Sequence, residues 1–156
     1  MTAQLIFDFP RLGHYSLDRF VGDLGEQALA VRGEPLWISG AAESGKSHLL
    51  KGLCQTFEAE QARAVYLNLE PTLDPAILRD LAAFDLVALD QLDAVIGQPD
   101  WEVALFDLDN SVRDLGVSWL VLASETPLPK ISFLLAVFAS RARAMHWLEV
   151  GWLTES

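Results

Sequence analysis

One stretch limits what this chain can fold into more than any other: LWISGAAESGKS, residues 36–47. Residues 40–47 satisfy G-x-x-x-x-G-K-[ST] at every defined position. The apolar run LWIS before it reads as a buried strand. Behind it, Leu49, Leu50, Leu53, Cys54 and Phe57 fall on one face of a helix expected over residues 46–62. A strand, a glycine turn and a helix in that order form a phosphate-binding loop. Backbone N–H groups cradle phosphate oxygens, and Gly40 and Gly45 permit turns that a Cβ would block. The helix presents its positive end to the anion. Lys46 adds a point charge for the terminal phosphates, and the Ser47 hydroxyl can ligate Mg2+. At ordinary residue frequencies such a match arises by chance in about one chain in two hundred of this length.

The rest of the chain repeats the same alternation. A helix is expected over 16–31, with Ser16 as its cap and Leu24, Ala28 and Val31 on one side. Strands are expected at 64–69, 86–89, 119–123 and 146–150. Helices are expected at 75–82, 101–115 and 131–138. Strands alternating with helices predict a parallel sheet covered on both faces, a three-layer α/β/α sandwich. At 156 residues, 51% of them hydrophobic, the chain suffices for one well-buried domain.

A second chemical element follows from FDLVALDQLD, residues 84–93. Asp90 ends an apolar strand, where a carboxylate can hold magnesium directly or through water. Gln91 stands next, where a general base would be a Glu. An amide cannot accept the proton of an attacking water. Slow or absent hydrolysis is expected of this chain alone, unless Asp93 or a partner substitutes.

Charge and cysteine content remove several classes. Eight Arg and three Lys against 22 acidic residues give a net charge of −11. That leaves no basic surplus to neutralise phosphates, so direct nucleic-acid binding is not expected as the main activity. Cys54 is the single cysteine, which rules out an internal disulfide. No run of 18 apolar residues predicts a membrane span. The greasy tip QLIFDFP, residues 4–10, lacks a basic n-region and a small-residue cleavage site, so it does not read as a signal peptide. A cytoplasmic location is expected. The tip remains open to two readings, an edge strand or a hook for a partner.

Taken in order, QLIFDF, YSLDRFVGDLGEQALAV, GAAESGKSHLL, LVALDQLD, PDWEVALFDLDNSVRDLG, LVLASETPLP and FASR resemble the AAA+ module of the DnaA-related family. They are most similar to its Hda-like branch, which mediates regulatory inactivation of DnaA. The similarity spans about residues 4–150. It implies that Phe20, Val21 and Gly22 wrap adenine. It implies that Gly40, Ser44, Gly45, Lys46, Ser47 and His48 take the phosphates of ADP or ATP. Ser47 and Asp90 would hold Mg2+. Ser124 or Glu125 occupies the place of a nucleotide-sensing polar residue. Arg141, in FASR, occupies the arginine-finger position, which reaches a neighbouring subunit's nucleotide and stabilises charge on the transferring phosphoryl group. The neighbour implied is ATP-bound DnaA.

Within that resemblance the tip matches Gln-x-x-h-x-Phe, the peptide by which bacterial replication proteins dock on the β sliding clamp. Gln4 would fix register by hydrogen bonds, and Leu5, Phe7 and Phe9 would enter an apolar pocket. The expected organisation is a clamp-binding peptide over 1–12 and an AAA+ base domain over 13–156. The family's small helical lid, with its second sensor arginine, is expected to be absent, as is the initiator's DNA-binding domain. Five Trp and an apolar average also make a homo-oligomer possible. Two other classes compete. One is a lidless, non-hydrolysing interaction scaffold, favoured by Gln91 and opposed by Lys46 and Ser47. The other is a small phosphate-loop kinase, opposed by the scarcity of basic residues after Thr126, which are Lys130, Arg141 and Arg143.

Overall fold

A computed structural model describes residues 4–9, 17–41 and 45–152, with side chains only between Asp23 and Val150. In chain order the elements are β1 (Gln4–Phe9), α1 (Leu17–Leu29), β2 (Leu36–Gly40), α2 (Lys46–Ala59), β3 (Ala64–Asn68) and β4 (Leu86–Asp90). Then come α3 (Pro99–Leu115), β5 (Trp119–Ser124), α4 (Ala136–Arg143) and β6 (His146–Trp152). The six strands form one sheet in the order β1-β6-β2-β5-β4-β3, with every pairing parallel.

Continuous apolar runs become the central strands because a parallel sheet is covered on both faces. β2, β4 and β5 are buried at every position, whereas β3, at one edge, is half-buried and ends exposed at Asn68. Alternate residues feed two cores. Leu36, Ile38, Leu86, Ala88, Val121 and Ala123 pack with α1 and α2. On the other face, Trp37, Val87, Leu89, Leu120 and Leu122 pack with α3 and α4. The three-layer α/β/α arrangement expected of the sequence is the one observed.

At the far edge, β1 pairs with β6 from Gln4↔Trp147 to Phe9↔Trp152. The backbone of the N-terminal apolar stretch is thus an edge strand of the domain's own sheet. Side chains of Gln4, Leu5, Phe7 and Phe9 lie outside the described residues.

Two expected helices differ. Residues 75–82 form two 3-10 turns, Pro75–Leu78 and Leu81–Ala83, instead of one helix. The Asp74 side chain accepts from the Ala76 amide and starts the first turn. Leu78 and Leu81, three apart, both reach the core, a spacing that suits three residues per turn. The helix expected over 131–138 begins only at Ala136 and runs to Arg143. The amides of Leu134 and Leu135 donate to the buried Glu102 carboxylate, at 2.9 and 2.8 Å, which anchors that segment ahead of the helix. α2 also stops at Ala59, short of the boundary expected at residue 62. Gln61 is left-handed at φ 63°, and its amide and that of Ala62 close back on Glu58 and Phe57.

Candidate functional site

The site is built where three strands end. Gly40 closes β2, and Gly45, left-handed at φ 93°, caps α2. A side chain would be strained at that φ, so the glycine before Lys46 is required by the backbone. Lys46 opens the helix and is buried. One residue on, the Ser47 hydroxyl donates to Asp90 Oδ2 at 2.7 Å. Asp90 terminates β4 and is fully buried. Its other oxygen, Oδ1, accepts the Gln91 amide at 2.9 Å. The two residues singled out for magnesium are therefore in contact across 43 positions of sequence.

Their chemistry fits a hard divalent cation. Ser47 and Asp90 offer one hydroxyl and one carboxylate. Among the described residues no group of three or more His, Cys, Asp or Glu could hold a metal by itself. Magnesium suits such a site, because it takes one or two protein oxygens and completes its shell with phosphates and water.

A third hydroxyl completes the cluster, and sequence reasoning missed it. Tyr66, on β3, donates to the same Asp90 Oδ2 at 2.7 Å. Burial, reinforced by the hydrogen bond to Asp90, pushes its phenol up to about 12. The available signal was a lone phenol in AVYLNL, two residues before the end of a strand that neighbours Asp90's. Gln91 itself is left-handed at φ 66°, uncommon for a residue with a side chain.

The remaining expected residues are placed as follows. Phe20, Val21 and Gly22 have their backbone in the first turns of α1, and their side chains lie outside the described residues. Ser44 also lies outside them. His48 is exposed on α2. Ser124 ends β5, fully buried, and its hydroxyl is engaged twice: it accepts from Trp37 Nε1 at 2.8 Å and donates to the Thr126 carbonyl at 2.7 Å. Glu125 is exposed. Asp93 accepts from the Glu125 amide and from both the amide and hydroxyl of Thr126, so it serves as a clamp on the loop after β5. Arg141, on α4, reaches α3: its Nη1 donates to Asp109 Oδ2 at 2.7 Å and to Asn110 Oδ1 at 2.8 Å, over the Phe106 ring. It keeps one third of its side chain exposed.

Glu102 is the other residue the sequence did not reveal. Fully buried, it accepts amides of Gly97, Leu134 and Leu135, tying the start of α3 to the segment that leads into α4. A separate cavity of about 410 Å³, lined by Asp74, Arg79, Asp100 and Asp107 among others, shares no residue with the Ser47–Tyr66–Asp90 cluster.

A parallel sheet in this order, with a glycine-rich phosphate loop after β2 and an aspartate closing β4, has the AAA+ P-loop NTPase fold. Among solved structures, the replication initiator DnaA bound to AMPPCP and single-stranded DNA matches 89% of this chain at a TM-score of 0.71 and 20% identity. Domain III of DnaA from Thermotoga maritima matches 90% of the chain, and 68% of its own length, at a TM-score of 0.69 and 22% identity. The chain spans 50% of the length of that first DnaA chain. Such identities establish likeness of fold. In sequence, an uncharacterized protein of Haemophilus influenzae is 29% identical over 160 residues, covering 96% of this chain and 68% of that protein. No family model matches.

Proposed function

We propose that this chain is a nucleotide-binding AAA+ regulator of bacterial DNA replication initiation, of the Hda-like kind. In this reading it binds ADP or ATP with Mg2+ at residues 40–48 and Asp90. It docks on the β sliding clamp through Gln4, Leu5, Phe7 and Phe9. It promotes hydrolysis of DnaA-bound ATP through Arg141.

The observation that carries nucleotide binding is the hydrogen bond from Ser47 to Asp90 beside buried Lys46. It joins the phosphate-loop hydroxyl to the strand-end carboxylate, as a Mg2+–nucleotide pair requires. AMPPCP in a DnaA of the same fold supports the same ligand class here. Action in trans is supported by two features. Gln91 offers no base, and Asp93 is occupied with the Glu125–Thr126 loop. Arg141 keeps part of its side chain exposed on α4, and in this reading it exchanges its bonds to Asp109 and Asn110 for a neighbour's nucleotide.

The test is isothermal titration with ADP and with ATP in magnesium. Heat is expected with the wild-type chain. Lys46→Ala is expected to weaken binding at least about tenfold, since a charge-assisted contact is worth roughly 1.5–3 kcal/mol. Wild-type protein that takes neither nucleotide would leave the scaffold reading in possession.

A further inference from the structure

Asp90 is held by more protein than a metal carboxylate needs. Its Oδ2 accepts two hydroxyls, from Ser47 and Tyr66, each at 2.7 Å, and its Oδ1 accepts the Gln91 amide. Only one of these donors, Ser47, belongs to the phosphate loop. We propose that Tyr66 is a positioning residue for the divalent cation that accompanies nucleotide at this site, acting by fixing the Asp90 carboxylate through its hydroxyl. The inference rests on the nucleotide-binding reading above.

The geometry follows from register. In the parallel pairing of β3 with β4, Tyr66 lies beside Ala88 and Asn68 beside Asp90. Tyr66, Ala88 and Asp90 therefore share a face, and Asp90 stands two residues further along, about 6.6 Å of strand rise. A phenol is long enough to cover that step, and a methyl at Ala88 leaves its ring room. The ring packs against the α1–α2 core, and the Lys51 ammonium lies 5.3 Å from its centroid. Both constraints aim the hydroxyl along the strand.

The two hydroxyls on Oδ2 then differ in what they can do. Ser47 must turn its oxygen toward a cation to ligate it. Tyr66 lies on β3, outside the phosphate loop, and keeps its bond while that happens. It holds the carboxylate plane when Ser47 is redirected, so the acidic ligand does not have to be reordered as the cation enters. Groups that orient a ligand in this way change metal affinity when removed, even though they do not touch the ion.

The experiment measures ADP affinity of the wild-type chain and of Tyr66→Phe, once with saturating Mg2+ and once in EDTA. Phe keeps the ring and its packing, and removes only the hydroxyl. The expected result is a loss of about tenfold in magnesium for Tyr66→Phe with no change in EDTA. A matching titration with Mn2+ and ADP, followed by electron paramagnetic resonance, should show the same weakening of the ion itself. Equal affinity of both proteins in magnesium overturns the assignment, and so does an equal loss in both arms, which would mark Tyr66 as packing alone. A wild-type chain that binds ADP in neither arm overturns the nucleotide reading and this inference together.

Discussion

Buried acids organise the local structure of this molecule. Glu102 holds two loop segments by accepting three backbone amides, and Asp109 lies between Arg113 and Arg141, its Oδ1 without a partner among the described residues. Cys54 shows the opposite case, a titratable group kept neutral. It faces the α2 core, and burial, aided by the nearby Glu58 charge, pushes its thiol up to about 11. Its folded pKa exceeds the unfolded value, so the associated stability is complete below about pH 8.5 and is lost as pH rises toward 11. A thiol reagent at pH 8 should label native protein about a hundredfold more slowly than urea-unfolded protein. Equal rates would show that the site is open. At this scale the sequence reveals residues whose chemistry repeats at fixed spacing, such as Gly45, Lys46 and Ser47. It hides those whose partners are distant along the chain. Tyr66 meets Asp90, and Glu102 meets Leu134, only once strands and loops are in place.

Elements with a strong period were legible for a physical reason. α2 and α3 each bury one continuous stripe, and α3 is bounded by Pro99 and by Gly116 at φ 70°. Residues 131–135, the first part of the helix expected over 131–138, are not helical, because their apolar content serves a loop pinned by Glu102, a fact that no local window contains. β1 is the element on which the proposed function and the fold compete. Its backbone belongs to the sheet, yet QLIFDF carries the clamp-docking pattern. Entry into a clamp pocket would draw β1 away from β6. Replacing Gln4→Ala together with Phe7→Ala should abolish clamp binding in a pull-down while leaving the thermal transition nearly unchanged. On clamp binding by the wild type, amide exchange over residues 146–152 should quicken. A large fall in melting temperature for the double variant would place those side chains in the core, and retained clamp binding would refute the docking role.

For the whole molecule, alternation of strand and helix was enough to foresee a parallel three-layer sandwich, but not which strand would lie beside which. That order is set by long-range pairing, and it brings residues far apart in sequence to one sheet. Among the described residues no helix is long and apolar enough to cross a membrane. The proposed action on DnaA is a property of the whole assembly and has its own test. Arg141→Ala should keep nucleotide binding and abolish stimulation of hydrolysis of DnaA-bound ATP. Removing Arg141 leaves buried Asp109 with Arg113 as its remaining ion-pair partner, so some stability is lost too. Adding Asp109→Asn should recover the melting temperature and not the stimulation. Stimulation equal to wild type in Arg141→Ala would reject the finger.

β6 lies between β1 and β2 in the sheet, and it follows both in the chain: Gln4 meets Trp147, and Leu36 meets His146. During synthesis β1 therefore waits without a strand partner, and β2 waits with one side open, until residues 146–152 have left the ribosome. Pairings that span so much chain form slowly, and unpaired strand edges invite the wrong neighbour in the meantime. A nascent chain of this protein thus holds an incomplete sheet until β6 emerges, and insertion of β6 gives the first strand its partner.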